Sequence, residues 1–225
     1  MLTLISATPS PYARKNRIAL LEKSIPFTLR TEIPWHSTTC TPKYNPLEKL
    51  PILLFEDNSH APIYESWLIQ EYIVTKYKDT GPRLFPPEED IDKRLEVRRM
   101  QVLADGACDA IALVFFEVAR GEEMRSEEWM ARQLRKVNGV LKSLNGLVVQ
   151  IRERGEEFLV GDEFGVADIA VGCMLGMMEM VEREFGIVKW CEEFPALRGY
   201  WEHLESRESF KGTRPVMFEL TEKVA

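Results

Sequence analysis

The sequence predicts two domains of different class: an α+β N-terminal domain of order β-α-β-β-β-α, followed by an all-α domain. Three distributions along the chain carry that prediction. Eleven of the 13 prolines lie at or before Pro87 and none lies between Glu88 and Phe194, which permits long uninterrupted helices there. All 13 glycines lie at or after Gly81. Residues 1 to 79 carry 9 basic and 8 acidic side chains, whereas residues 80 to 225 carry 20 and 28. The expected boundaries are therefore a first domain over 1–79, a linker over 80–89, and a helical domain over 90–225 that includes a C-terminal tail. Thr80-Gly81-Pro82 and Pro86-Pro87 read as a turn and a stiff connector, and Glu88, Glu89 and Asp90 as a helix start.

Leu2 to Ile5 is a short apolar run for the first strand. Arg14 to Lys23, with Ile18, Ala19, Leu20 and Leu21 clustered on one side, reads as an amphipathic helix. Phe27 to Glu32 alternates apolar and polar residues as a second strand, completing a β-α-β unit. Ile33 to Tyr44, with Pro34, Pro42 and four Thr or Ser residues, reads as an irregular loop near a site. Pro51 to Glu56, the Asp57-Asn58-Ser59 turn and His60 to Ile63 form an expected hairpin. Ser66 to Tyr77, with Trp67, Leu68, Tyr72 and Ile73, closes the domain as a helix. Helical patterns then cover about 90–119, 126–154, 166–184, 195–205 and 207–212. Residues from Thr213 onward read as a loosely held tail.

Composition excludes several kinds of chemistry. At 225 residues and 45% hydrophobic content the chain can bury a full core. Phosphate-cradling loops need glycine, and none precedes Gly81, so no nucleotide cofactor is expected in the first domain. The three His are far apart and the four Cys form no C-x-x-C pair, so no metal site is signalled. A net charge of −7 without a basic block argues against nucleic acid. The apolar stretch Val166 to Val181 is broken by Asp168 and Glu179, so no membrane insertion is expected. No secretory signal is recognised at the start, which makes a cytoplasmic location the expectation.

Three segments carry chemistry. Ser10-Pro11 suits the cap and first position of a helix, and a helix start offers unpaired amides and partial positive charge to an anion, with Arg14, Lys15 and Arg17 adding positive field. Ser10 is thus either a structural cap or a hydroxyl that donates to a bound thiolate. Leu50-Pro51 enters the third strand, where proline is tolerated at a first residue or an edge. A trans bond there makes an ordinary turn; a cis bond leaves the Leu50 backbone to pair with an extended peptide ligand. Glu65-Ser66 again sets a carboxylate, a hydroxyl and amides at a helix start.

Taken in order, Ser10-Pro11-Tyr12, Asn45-Pro46 with Leu50-Pro51, and Glu65-Ser66, followed by a proline linker and a helical half, resemble the glutathione transferase superfamily over about residues 1–212. Arg207-Glu208-Ser209-Phe210 also looks like the closing helix of several members. The resemblance implies a thioredoxin-like glutathione site in the first domain, and a helical domain that supplies a second-substrate pocket and much of a homodimer interface. Ser10 suits the serine-type members. By position, Ser10 would stabilise the glutathione thiolate, Leu50 would pair with the cysteinyl unit, and Glu65 with Ser66 would hold the γ-glutamyl end. Lys49 and His36 would lie near the glycyl carboxylate, and Asp105 would reach the γ-glutamyl amine across a dimer. Tyr12, Trp35, Ala112, Phe115 and Phe116 are the candidate pocket residues. Gly165 stands where the family's capping serine or threonine precedes Asp168, and glycine is an acceptable cap, so the turn is expected to survive.

The reaction that follows from this resemblance is attack of the thiolate on a small hydrophobic electrophile. Two alternatives stay open. One is glutathione-dependent isomerisation of an unsaturated metabolite, the other a non-catalytic interaction protein of the same fold.

Overall fold

The computed structural model describes residues 1–57 and 59–218. The chain divides into two compact units: Met1–Phe85 together with the segment that begins at Arg207, and Pro86–Ser206. The first unit is built on strands β1 (Leu2–Ser6), β2 (Phe27–Thr31), β3 (Ile52–Phe55) and β4 (Ile63–Tyr64), arranged in the order β2-β1-β3-β4. β1 and β2 are parallel, as a β-α-β crossover requires; β3 runs antiparallel to both β1 and β4. Helix α1 (Pro11–Glu22) forms that crossover, and α3 (Ser66–Lys76) packs beside it and against β3. Leu4, Ile5, Ile18, Leu20, Ile52, Leu53, Ile69 and Ile73 are fully buried between them, each worth about 1.5 to 3 kcal/mol in transfer free energy.

Several details differ from the sequence reading, each for a physical reason. α1 begins at Pro11 rather than Arg14, because Ser10 caps it. Four consecutive apolar residues span more than one face of a helix, so Leu21 is exposed while Ile18, Ala19 and Leu20 are buried. α3 buries Ser66, Ile69, Gln70 and Ile73, an i, i+3, i+4, i+7 stripe that leaves Trp67 and Leu68 in solvent. The fourth strand starts at Ile63 rather than His60, since Pro62 has no amide to give a ladder. His60 instead packs on Phe55, with ring centroids 4.8 Å apart. Asn58 of the expected turn lies outside the described residues. The irregular loop after β2 contains one helical turn, α2 (Thr41–Tyr44), with Pro42 in its first turn.

The second unit holds α4 (Ile91–Val118), a single 3₁₀ turn (Glu122–Met124), α5 (Glu127–Glu153), α6 (Val166–Phe185) and α7 (Pro195–Glu205). α4 packs against α5 and α6, and α7 packs against α5 and α6. α6 is buried almost throughout, and no helix among the described residues is long and apolar enough to cross a membrane. Gly165 caps α6, and the Asp168 carboxylate accepts from its amide at 2.8 Å, from the Leu159 amide at 2.9 Å and from the Tyr200 hydroxyl at 2.5 Å. Burial raises the Asp168 pKa while these hydrogen bonds oppose the rise.

The segment after α7 returns to the first unit through α8 (Glu208–Lys211), and it is not loose where described. Arg207 makes a two-point ion pair with Glu22, at 3.0 and 2.9 Å, and the Ser209 hydroxyl donates to the same carboxylate. Burial works against the Glu22 charge, but these partners hold its pKa below the ordinary value. Thr213 is buried and donates to the Ser209 carbonyl at 2.8 Å. The remainder of the expected tail, 219–225, lies outside the described residues.

Candidate functional site

Strand register assembles the site. Ile5 pairs with Ile52 and Ile52 with Tyr64, so the residues after β1, before β3 and after β4 emerge at one end of the sheet. Those residues are Ser10, Leu50-Pro51 and Glu65-Ser66. Ser6 pairs with Thr31 in the parallel ladder, which brings the start of the 33–44 loop, with Trp35 and His36, to the same end. Four segments far apart in sequence thus meet because three ladder pairings fix where each chain leaves the sheet.

Ser10 is half-buried and its hydroxyl oxygen accepts from the Ala13 amide at 3.2 Å. It therefore caps α1, while its own proton is left to donate elsewhere. Arg14 and Arg17, which the sequence suggests as a positive field, have a further task. The Arg14 guanidinium donates to the Phe210 carbonyl at 3.1 Å and to Thr213 Oγ1 at 3.3 Å, and Arg17 donates to the Gly212 carbonyl at 3.3 Å. The Lys15 ammonium lies 5.8 Å from the centroid of the Tyr12 ring.

The Leu50-Pro51 bond is cis. Asn45, itself buried, shapes the approach to it: its side-chain amide donates to the Lys49 carbonyl at 2.8 Å, and its Oδ1 accepts from the Leu47 amide at 2.9 Å. Leu50 lies just beyond the last pairing of β3, half-buried, and the Lys49 side chain is exposed. Glu65 sits at φ 78°, a left-handed conformation costly for a residue with a Cβ. From there its carboxylate reaches back over the start of α3, accepting from the buried Ser66 hydroxyl at 2.9 Å and the Trp67 amide at 3.4 Å.

The loop bearing Trp35 and His36 is held by a network the sequence did not reveal. The Glu32 carboxylate accepts from the Thr39 hydroxyl at 2.7 Å, the Cys40 amide at 3.0 Å and the Cys40 thiol at 2.9 Å, and pairs with Arg30 at 2.5 Å. Burial disfavours its charge, yet the hydrogen bonds and Arg30 together lower its pKa to about 2. His36 Nε2 is buried with no hydrogen-bond partner among the described residues.

The other candidates belong to the second unit. Asp105, Ala112 and Phe115 are half-buried on α4, and Phe116 is exposed. Phe115 meets Phe116 and Phe185 edge to face, each at 5.5 Å between centroids. Phe185, the last residue of α6, is an aromatic neighbour one position beyond the helix the sequence predicts.

The arrangement offers a carboxylate and helix-start amides at Glu65 and the start of α3, and a hydroxyl whose proton can be donated at Ser10.

A four-stranded mixed sheet with helices, carrying these groups at helix starts and followed by a helical domain, defines a thioredoxin-like domain joined to an all-α domain. Comparison with known proteins agrees. Residues 9–76 match the family model of the glutathione S-transferase N-terminal domain, and residues 107–208 that of the C-terminal domain. The uncharacterized GST-like protein YibF of Escherichia coli is 34% identical over 214 residues, covering 95% of this chain and 98% of its own. A glutathione S-transferase from Methylobacterium radiotolerans, solved in complex with glutathione sulfonate, superposes with a TM-score of 0.88 at 43% identity, over 100% of this chain and 99% of the other. One from Methylobacillus flagellatus with glutathione bound gives 0.84 at 31% identity, over 96% and 100%. The chain belongs to the glutathione S-transferase family and is a glutathione transferase-like enzyme.

Proposed function

We propose that this protein binds glutathione at the sheet end described above, activates its thiol with Ser10, and transfers it to a small hydrophobic electrophile. The observation that supports this most is the register that brings Ser10, Leu50 and Glu65-Ser66 to one end of one sheet. Glu65 takes the γ-glutamyl ammonium, and the amides at the start of α3 with the Ser66 hydroxyl take its carboxylate. The Leu50 backbone pairs with the cysteinyl unit. His36 and Lys49 supply donors to the glycyl carboxylate, to which the buried Nε2 of His36 is suited.

An unperturbed thiol ionises near ~8.5, and a helix start with an added hydroxyl donor lowers that toward roughly 7. Ser10 and the α1 amides stabilise the sulfur's negative charge, so more thiolate is present at neutral pH. The thiolate attacks an electrophilic carbon, a carbon–sulfur bond forms, and the leaving group departs with the displaced electron pair. Tyr12 and Trp35 of the first unit supply apolar contact for that electrophile; the candidates of the second unit, Ala112, Phe115 and Phe116, lie on α4, where Phe115 meets Phe116 and Phe185. We assign the protein to the serine-type members, acting in the cytoplasm as a homodimer in which Asp105 of one subunit approaches the γ-glutamyl amine bound by the other.

Glutathione titration by calorimetry tests the binding half of this reading. Glu65→Ala should weaken binding by about 1.5 to 3 kcal/mol, the range of a hydrogen bond to a charged group. Equal affinity in wild type and variant would remove Glu65 from the site.

A further inference from the structure

We propose that Glu32 is a positioning residue for glutathione recognition: acting through Thr39, its carboxylate fixes the turns that hold His36 toward the glycyl carboxylate. This role rests on the functional reading above and adds to it a residue that itself makes no contact with the ligand.

Glu32 is anchored first by its backbone. It follows the last residue of β2, and its amide donates to the Ser6 carbonyl at 2.9 Å, so the chain leaves the sheet from a fixed point beside β1. Two linked turns come next. The His36 amide donates to the Ile33 carbonyl at 3.1 Å, and the Thr39 amide donates to the His36 carbonyl at 3.0 Å. The Thr39 hydroxyl then returns to the Glu32 carboxylate at 2.7 Å, with the Cys40 amide on the same group at 3.0 Å. A ring is thereby closed from Glu32 through Ile33, His36 and Thr39 back to Glu32. His36 is its joint, the amide serving one turn and the carbonyl the other. The Thr39 and Thr41 hydroxyls lie 2.7 Å apart, and Thr41 is fully buried, which seats the far side of the ring in the domain.

The closing bond is charge-assisted. Burial opposes the Glu32 charge, yet its hydrogen bonds and Arg30 hold the pKa at about 2, so the acceptor is ionised at neutral pH. At the joint, His36 Nε2 is buried with no hydrogen-bond partner among the described residues. A buried ring nitrogen left unpaired is costly, and a glycyl carboxylate oxygen accepting from Nε2–H relieves that cost. With the ring opened, the imidazole is free to turn away and the contact is lost.

Calorimetric titration with glutathione and with its glycyl monoethyl ester tests this, because the ester keeps every other group and loses the glycyl charge. The ratio of the ester's Kd to that of glutathione therefore reads recognition of the glycyl end alone. Wild type is compared with His36→Ala, Glu32→Gln and Thr39→Val; the last keeps the Glu32 charge, removes the hydroxyl, and serves if Glu32→Gln does not fold. Wild type should prefer glutathione, and the ratio should fall by about fivefold in each variant, the scale of one hydrogen bond. Adding Glu32→Gln to His36→Ala should lower it no further, since the two residues act in series. A wild-type ratio retained in folded Glu32→Gln or Thr39→Val would overturn the proposal, as would additive losses in the double variant. Either result leaves the glycyl role of His36 standing when His36→Ala alone loses the preference. Equal binding of both ligands by wild type would instead remove His36 and Lys49 from the glycyl end, and Glu32 with them.

Discussion

Arg14 and Phe210 stand 196 positions apart, yet the guanidinium of the first donates to the carbonyl of the second at 3.1 Å and lies 5.2 Å from the centroid of its ring. The amide of the same arginine donates to the Ser10 carbonyl at 3.0 Å. One residue thus joins, through its amide and its buried side chain, the helix start that bears the candidate hydroxyl to the segment from Phe210 onward.

Arg14→Met keeps most of the volume and removes every donor. The carbonyl of Phe210 then loses a charged partner in a buried setting, which costs about 1.5 to 3 kcal/mol. Thermal denaturation should show that loss, and limited proteolysis should cut the segment after Lys211 sooner than in wild type. A variant with wild-type stability would show that the contact contributes nothing net.

Lys23 performs a similar task at the domain's other margin. It is buried, and its ammonium donates to the carbonyls of Tyr77, Thr80 and Pro82 at 2.9, 2.8 and 3.0 Å. Burial pushes its pKa below the usual lysine value, with Asp79 opposing. Gly81 sits between two of these carbonyls at φ 61°, where a Cβ would come within 3.0 Å of the Lys23 backbone. Lys23→Met and Gly81→Ala should each destabilise, by about 2 to 3 kcal/mol through unsatisfied carbonyls and about 1 to 3 kcal/mol through backbone strain. Denaturant titration measures both; a neutral Gly81→Ala would mean that this turn relaxes freely.

Glu32 gives a pH-dependent prediction. Its folded pKa of about 2 lies below the ordinary 4.5, so its contribution to stability is fully present above the unfolded value and is lost as pH falls through the folded one. Glu32→Gln should be less stable than wild type at pH 7, and the gap should close as pH falls from about 4.5 toward about 2. Parallel stability curves for the two proteins across that range would contradict the network's role in holding the loop of Trp35 and His36.

Much of this architecture is legible in the sequence because its signals are local. Short apolar runs mark β1 and β3, and hydroxyls at helix starts mark Ser10 and Ser66. What escapes is the use of charge inside. Arg14 reads as part of a positive field at a helix start and Lys23 as the end of that helix, since cations are rarely buried; most of their partners are backbone carbonyls, which no side-chain pattern announces. Tyr200 is hidden in the same way, its hydroxyl meeting Asp168 across 32 positions. The segment from Thr213 reads as a tail because a proline, charges and no periodicity look the same whether the chain is free or pinned. Glu32 became visible only when the 33–44 loop closed around it.

The most direct test of the central claim is the rate–pH profile of Ser10→Ala with a model electrophile. As the cap of α1, Ser10 should contribute about 0.5 to 2 kcal/mol of stability in any case, so rates are compared per folded molecule. If Ser10 also donates to the thiolate, the variant's bound thiol ionises at higher pH; its rate falls at neutral pH and partly recovers at high pH, while glutathione affinity changes much less. A profile parallel to wild type with equal rate per folded molecule would reduce Ser10 to a cap and contradict the account.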